Sequence, residues 1–303
     1  MFSKLTAVLL FAASCFPASA GVIYVADYGT IYKYSANGTA TTFGTGAGNT
    51  NLGIGFDTSG DLFVDSRDSY AIYKYTPQGV QSTFATAPSS NLLYGLAVNT
   101  AGDVFTGNDT TGTILEYTPA GVSSTFATGT DVTSLAFDPL NGNLFEADGS
   151  GDIYEYSSTG VRTTFASGVP TSIFGLTFDA SGDLYASNWN GQIVEYTPAG
   201  AASTFASFSN QILPTGLAYD YASGTLYMTE VKSGVSSPGQ QVVDEFNSSG
   251  VESTFATGLY VPYGIADLQP APVSAAPEPG TLHLGAGAML LAPGLRRVRR
   301  RRP

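Results

Sequence analysis

The stretch GLAVNTAGDVFTGNDTTGTILEYTPAGVSSTFAT, residues Gly95–Thr128, is one copy of a unit that recurs along the chain. The aromatic residue of its "STFAT" segment recurs at steps of 41, 42, 39, 40 and 50 residues: Phe43, Phe84, Phe126, Phe165, Phe205 and Phe255. A second aromatic column lies nine residues earlier in each copy: Tyr34, Tyr75, Tyr117, Tyr156, Tyr196 and Phe246. A fixed offset at a period of about 40 residues indicates a propeller or a solenoid.

Each copy contains four short segments that are rich in β-branched and aromatic residues and are bounded by turn residues. In the quoted copy these predicted strands are Gly95–Asn99, Asp103–Gly107, Thr113–Thr118 and Val122–Thr128. No window has the apolar spacing of an amphipathic helix. Asp or Asn followed by Gly joins strands one and two, and Pro followed by Gly joins strands three and four, both as tight turns. The unit is therefore predicted to be a four-stranded antiparallel propeller blade.

The two ends of the repeat region supply parts of one blade. Gly21–Asp27 matches the second strand of the unit, and Tyr263–Asp267 matches the first strand. Pairing of these segments would close the ring and remove the free edges that an open sheet leaves. We therefore predict an all-β, six-bladed β-propeller over residues 21–268, closed by the N- and C-terminal strands of the body.

The first 20 residues have the pattern of a secretory signal peptide. Lys4 precedes the apolar run Leu5–Ala13, and small residues occupy Ala18–Ala20. This order is typical of a segment that directs export and is then removed. At the other end of the body, residues 269–276 form a Pro/Ala linker.

The last segment, residues 277–303, resembles the PEP-CTERM sorting signal. It has a Pro-Glu-Pro motif, the apolar run Thr281–Leu295 and a terminal arginine cluster, with the motif residues Pro277, Glu278, Pro279, Arg296 and Arg297. The resemblance implies processing by an exosortase, transient membrane contact through this segment, and export in a Gram-negative bacterium that makes exopolysaccharide. The expected location is the periplasm, outer surface or extracellular space. His283 and Pro293 depart from the pattern, and the alternative is an ordinary C-terminal anchor.

Charge and residue types exclude several classes of function. Residues 21–276 contain five basic and 23 acidic residues, a net charge near −18, which repels nucleic acid. The one cysteine, Cys15, lies in the signal peptide, and the one histidine, His283, lies in the tail. No nucleophile elbow or phosphate-binding P-loop is present. We predict that the protein is not an enzyme and has no catalytic residues.

The repeats resemble two families of six-bladed propellers. Asp183–Asn188 followed by Asn190–Ile193 resembles an NHL repeat, and Gly216–Asp220 followed by Gly224–Tyr227 resembles the SMP-30/gluconolactonase group. The second resemblance implies metal ligands just before the Gly-Leu of strand one, but no carboxylate or amide occupies the matching positions: Leu52, Tyr94, Thr133, Phe174, Thr215 and Tyr263. No metal or cofactor is therefore predicted. Paired aspartates such as Asp57 and Asp61 resemble a calcium loop, although a tight turn explains them better.

The loops that join strands two to three and four to one vary among the copies and share one face of a propeller. A column of polar residues lies near this face: Asp27, Ser66, Asn108, Asp148, Asn188 and Glu230. The candidate ligand-binding residues are five of these, together with one tryptophan of the same loops: Asp27, Asn108, Asp148, Asn188, Trp189 and Glu230. Such groups suit a sugar or a cation, and the alternative is that they line a wet channel. We predict an exported, envelope-sorted binding or scaffold protein, associated with extracellular matrix or exopolysaccharide, with polysaccharide or another envelope protein as its partner. The alternative function is a divergent metal-dependent lactonase or esterase.

Overall fold

The computed structural model describes residues 21–50, 53–87, 93–108, 111–129, 131–169, 171–209, 212–232 and 239–268. The predicted signal peptide, linker and sorting segment lie outside these residues. The chain divides into two compact units, Met1–Val273 and Ser274–Pro303, and the second lies wholly outside the described part. Among the described residues, no helix has the length and apolar character that a membrane crossing requires.

The described residues form six antiparallel sheets of four strands each. The first blade contains β1 (Ile23–Asp27), β2 (Thr30–Tyr34), β3 (Ala40–Thr45) and the last strand of the body, β24 (Pro262–Asp267). The second blade contains β4 (Ile54–Phe56), β5 (Leu62–Ser66), β6 (Ala71–Tyr75) and β7 (Gln81–Thr86). The third blade contains β8 (Leu93–Val98), β9 (Val104–Asn108), β10 (Thr113–Tyr117) and β11 (Ser123–Thr128).

The remaining blades follow the same order. The fourth contains β12 (Val132–Phe137), β13 (Leu144–Asp148), β14 (Ile153–Tyr156) and β15 (Arg162–Ala166). The fifth contains β16 (Ile173–Phe178), β17 (Leu184–Asn188), β18 (Gln192–Tyr196) and β19 (Ala202–Ser207). The sixth contains β20 (Ile212–Asp220), β21 (Thr225–Lys232), β22 (Gln241–Phe246) and β23 (Glu252–Leu259).

The first blade is assembled from both ends of the body, as predicted. Strand β24 pairs antiparallel with β1, with Val25 opposite Ile265 and Tyr24 opposite Ala266. The sheet order β24-β1-β2-β3 therefore matches the order of the other five blades. The prediction of a closed, six-bladed, all-β propeller is confirmed.

The first strand of each sheet lies innermost and contacts the first strands of the neighbouring blades. A glycine column on these inner strands permits the close approach. A Cβ added to Gly53 would lie 2.3 Å from the backbone nitrogen of Leu96, and one added to Gly216 would lie 2.2 Å from the carbonyl oxygen of Tyr263. The fourth blade has Ser134 at this position, and its Oγ accepts a hydrogen bond from the Leu176 N–H of the next blade at 3.1 Å.

The repeated phenylalanine is the bulge residue of each outer strand. In the third blade, Ile114 pairs with Ala127 and Leu115 pairs with Thr125, so the ladder passes over Phe126. The same register shift occurs in every other blade. A bulge re-aims a side chain and bends its strand. Here it places the phenylalanine ring in the space between neighbouring blades.

These rings form an aromatic girdle, defined as the six bulge phenylalanines and the two columns that they contact. Phe126 meets Phe105 of its own blade edge to face, with centroids 5.1 Å apart, and lies 6.1 Å from Tyr156 of the next blade. The other five blades repeat both contacts. The contact of Phe255 with Tyr34, at 6.0 Å, continues the girdle across the ring closure.

The short turns lie together on one face, which we call the turn face. Asn99 Oδ1 accepts hydrogen bonds from the N–H groups of Ala101 and Asp103, which fixes the turn between strands one and two. The Cβ position of Gly102 in that turn is 3.6 Å from Pro119 in the turn between strands three and four. The longer loops lie at the opposite ends of the strands, on the loop face.

Candidate functional site

The predicted polar column lies at the loop-face end of the second strand of each blade. Its six members occupy equivalent positions, and all are buried: Asp27, Ser66, Asn108, Asp148, Asn188 and Glu230. The structure therefore brings the predicted residues into one ring of equivalent sites. Whether they contact a ligand stays a prediction.

Three members of the column hold the loop that follows their own strand. Asp148 Oδ1 accepts hydrogen bonds from the N–H groups of Ser150 and Asp152, each at 2.9 Å. Asn188 Oδ1 accepts the equivalent two hydrogen bonds, from the N–H groups of Asn190 and Gln192. Asn108 Oδ1 accepts one hydrogen bond, from the Thr111 N–H. Asp and Asn favour such turns because a short side chain can satisfy nearby backbone donors. These oxygen atoms shape the loop face.

The other two charged members have different partners. The Asp27 carboxylate accepts hydrogen bonds from the Tyr260 N–H at 2.9 Å and the Val261 N–H at 2.6 Å. It thus fastens β1 to the loop before β24 at the ring closure. Glu230 pairs with Lys232, with Oε1 and Nζ 2.9 Å apart. Burial, together with the charge of Glu230, raises the pKa of nearby Asp244 to about 7.

Two exposed aromatic side chains lie on the loop face. Tyr28 is 52% exposed and meets Tyr260 edge to face at 4.9 Å. Trp189 is 53% exposed and packs against Phe174, also at 4.9 Å. Each exposed ring is therefore held by a second ring. We call these four residues the loop-face aromatics.

Backbone strain is concentrated in the same loops. Among the described residues, the non-glycine residues with a positive φ are Tyr28, at 44°, and Tyr70, at 54°. Both lie in loops between strands two and three. Tyrosine rarely adopts this conformation, which costs on the order of 1–3 kcal/mol and persists only where surrounding contacts enforce it. The Tyr28 ring is thus fixed by its backbone as well as by Tyr260.

The positions that match the lactonase metal ligands serve the packing of the propeller. Arg67 lies over the Tyr94 ring at 4.9 Å, and Phe174 supports Trp189. The hydroxyl of Thr215 donates to the carbonyl of Pro262 in the next blade at 3.0 Å. Across the described ranges, no group of three or more His, Cys, Asp or Glu side chains is arranged to hold a metal ion. Leu52 lies outside the described residues.

The paired aspartates form tight turns. Asp57 Oδ1 accepts hydrogen bonds from the N–H groups of Ser59 and Asp61, and Asp179 makes the equivalent pair. The carboxylate that a calcium loop would direct at the ion is thus used for the backbone of its own turn.

A cavity of about 660 Å³ lies at the turn-face end of the space that the inner strands enclose. Its lining includes an aliphatic residue from the inner strand of every blade: Ile54, Leu96, Leu135, Leu176, Leu217 and Ile265. This cavity was not predicted from the sequence, where only the loop face was expected to bind a ligand. The sequence does contain a pattern that indicates it: in all six copies, the residue that follows the glycine-column position of the inner strand is Ile or Leu.

Neither a scan against protein-family models nor a search of curated proteins returned a match. Solved structures do resemble the chain. A structure of the nidogen/laminin complex has a TM-score of 0.69 at 18% identity, covering 81% of this chain and 97% of that chain. A streptogramin B lyase has a TM-score of 0.61 at 14% identity, covering 81% of this chain and 83% of that chain.

The virginiamycin B lyase from Staphylococcus aureus has a TM-score of 0.60 at 15% identity, covering 82% of this chain and 85% of that chain. These similar structures include both a protein–protein complex and enzymes. At such identities the likeness shows the fold alone. The chain belongs to the class of six-bladed β-propellers.

Proposed function

We propose that this chain is an exported, non-enzymatic binding or scaffold propeller whose loop face holds a partner at the cell envelope or in the extracellular matrix. The observation that carries the proposal is the set of loop-face aromatics. Trp189 and Tyr28 present about half of their surface to solvent, and each is backed by a second ring. Rigid aromatic side chains bind partners at a low cost in conformational entropy.

Export and sorting rest on the sequence. The signal peptide, the resemblance of residues 277–303 to a PEP-CTERM segment and the acidic body are all consistent with a protein delivered through the envelope. We infer that exosortase-type machinery acts on the tail and that an exopolysaccharide or another envelope protein is the partner. Replacing Pro277 and Pro279 by alanine in an exosortase-producing host is expected to retain the precursor, whereas an unchanged mature form would contradict the inference.

The comparisons supply two precedents. One similar structure is a complex of nidogen with laminin, so a propeller of this shape occurs in a protein–protein assembly. Another is a catalytically inactive virginiamycin B lyase with quinupristin, in which alanine replaces a histidine. This chain has a single histidine, His283, which lies in the tail. The propeller body therefore lacks the residue type on which that lyase depends, which favours the binding role.

The binding role can be tested with extracellular polysaccharides and the purified full chain. Trp189 is the only tryptophan, so its fluorescence reports directly on the loop face. We expect a saturable change in emission, and we expect Tyr28→Ala to weaken binding about tenfold because a stacking surface is lost. Val122→Ala, an equally exposed apolar residue of the turn face, is the matched control. Saturable binding that Tyr28→Ala leaves unchanged would refute the loop-face assignment.

The alternative, a metal-dependent lactonase or esterase, is addressed with the same preparation. We expect no hydrolysis of lactones or esters above background with calcium, magnesium or manganese. Metal-dependent turnover that a chelator abolishes would replace the binding proposal with the enzymatic one.

A further inference from the structure

The cavity at the turn-face end of the ring is separate from the loop face and plays no part in the proposed function. Its volume, about 660 Å³, lies within the range of small-molecule sites in proteins. The aliphatic side chains of the six inner strands form its deep, apolar part. A ligand that fills this part needs an apolar group.

Aromatic rings surround the same space nearer the turns. Phe56, Phe178, Tyr219 and Tyr221 line it. Tyr219 stacks on Tyr185 with the two ring planes at 14°, and it meets Tyr221 edge to face at 5.5 Å. These contacts hold the tyrosine rings in place. Fixed aromatic faces attract cations through the ring quadrupole.

The charge of the lining has one sign. Among the described residues, the lining of the cavity includes no lysine, arginine or histidine. The described lining has four carboxylate residues: Asp57, Glu116, Asp138 and Asp267. Burial raises the pKa of both Asp138 and Glu116. The nearby charge of Glu155 raises the pKa of Asp138 further, and that of Asp103 acts likewise on Glu116.

The negative potential extends to the aromatic rings. Burial raises the pKa of Tyr221, and the charges of Asp179, Asp267 and Asp138 raise it further. These carboxylates give the space around Tyr221 a negative potential. A bound cation would reduce the repulsion between the carboxylates, whereas a bound anion would increase it.

We propose that the cavity binds an amphipathic organic cation, a quaternary or protonated amine that carries an aliphatic group. The aliphatic group lies against the inner-strand leucines and isoleucines, and the ammonium group lies near Tyr219, Tyr221 and the carboxylate of Asp138. A neutral ligand of the same length would use only the apolar part, and an anionic one would be repelled.

The test is calorimetric titration of the purified full chain with hexyltrimethylammonium. Heptanol serves as the neutral probe and hexanoate as the anionic probe. We expect saturable binding of the cation, binding at least tenfold weaker for heptanol, and none for hexanoate. Absence of saturable binding of the cation, or equal binding of heptanol, would overturn the proposal.

Variants locate the site. Asp138→Asn retains the oxygen that accepts the Leu140 N–H at 2.7 Å, so the turn keeps its hydrogen bond. Asp138→Asn is expected to weaken binding of the cation about five- to tenfold. Glu252→Gln, on the exposed outer strand of the sixth blade, removes the same charge away from the cavity and should leave the affinity unchanged. Equal affinities in these two variants, with thermal unfolding confirming that each is folded, would also overturn the proposal.

Discussion

Phe126 illustrates how one side chain joins two blades. Its ring meets Phe105 in its own blade and Tyr156 in the next, and the bulge beneath it lets the outer strand stay paired. Each aromatic pair contributes about 0.5–1.5 kcal/mol beyond the apolar area that it buries. Because the equivalent ring recurs in all six blades, the single "STFAT" phenylalanine sets the spacing of the propeller.

Replacing this ring is expected to be costly. Phe126→Ala removes both aromatic contacts and leaves a cavity, so we expect the free energy of unfolding to fall by about 3–5 kcal/mol. Val122→Ala, four residues away and exposed, should change it by less than about 0.5 kcal/mol. Urea denaturation measures both variants. Similar stabilities for the two would contradict the structural role of the bulge ring.

Asp244 gives a pH-dependent prediction at the same scale. Its folded-state pKa of about 7 lies above its ordinary value because of burial and the neighbouring Glu230. The folded protein therefore favours the protonated acid, and stability falls as the pH rises between about 4 and 7. Asp244→Asn removes this loss, so we expect its Tm to exceed that of the parent by more than about 3 °C at pH 8 and to match it at pH 4. A Tm difference that does not change with pH would contradict the assignment.

The candidate site was only partly predictable from residue types. The polar column lies at equivalent positions of the second strands, because the repeat sets the register of each blade. The sequence did not reveal that Asp148 and Asn188 direct their oxygens at their own loops, since an Asx side chain serves equally as a turn acceptor or as a ligand. Nor could it reveal the ring partners Tyr28 and Tyr260, which are adjacent only after the ring closes.

At the scale of the element, the strands were predicted to within two residues. Strand β8 covers Leu93–Val98 where Gly95–Asn99 was expected, and β9 begins at Val104 instead of Asp103. Asn99 lies outside β8 because it belongs to the turn, where its side-chain oxygen accepts a hydrogen bond from the Asp103 N–H. Turn chemistry therefore moved these two strand ends one residue away from the turn. The bulges were not predicted, because a bulge is a property of the pairing between two strands.

The turns between strands three and four also carry blade packing. Gly79 has a φ of 79°, and a Cβ at this position would lie 2.1 Å from the carbonyl oxygen of Phe43 in the preceding blade. Gly142, in the turn between strands one and two of the fourth blade, has nearly the same φ, 74°, but no atom of the described residues lies within 4 Å of its Cβ position. Both positions therefore require a left-handed backbone, but only Gly79 also lies against the backbone of a neighbouring blade.

Substitution by alanine measures this difference. Gly142→Ala should cost only the strain of the left-handed conformation, about 1–2 kcal/mol. Gly79→Ala must also displace the backbone of the neighbouring blade, and we expect its cost in unfolding free energy to be larger by at least about 2 kcal/mol. Equal losses in the two variants would mean that the turns do not position the blades.

At the scale of the whole molecule, the aromatic girdle predicts sensitivity to alkali. Burial raises the pKa of Tyr34, Tyr75 and Tyr117 to about 12. The folded state favours the neutral phenol, so this stability is complete below the ordinary pKa of about 10 and is lost as the pH rises towards 12. The loss approaches about 3 kcal/mol for each ring.

A single variant tests this property of the ring. Among the described residues, the buried hydroxyl of Tyr117 has no hydrogen-bond partner, so Tyr117→Phe removes the ionisable group at little structural cost. We expect similar unfolding midpoints for parent and variant at pH 8, and a higher midpoint for the variant at pH 11.5. Identical midpoints at both pH values would contradict the burial of this phenol.

The completed ring also separates two kinds of surface. The loop face carries exposed aromatic rings on strained, hydrogen-bonded loops, and the turn face opens onto an apolar cavity with carboxylates in its lining. Partner binding is proposed for the first face and an organic cation for the second. Both assignments depend on the ring, because each surface is assembled from residues of several blades.

Nuclear magnetic resonance of the perdeuterated, amide-protonated protein tests that ring most directly. Cross-strand nuclear Overhauser effects between the backbone protons of β1 and β24 are predicted at the register that places Tyr24 opposite Ala266 and Val25 opposite Ile265. A β1 strand that has such effects to β2 alone, with β24 unpaired or paired elsewhere, would contradict closure of the propeller by its two ends.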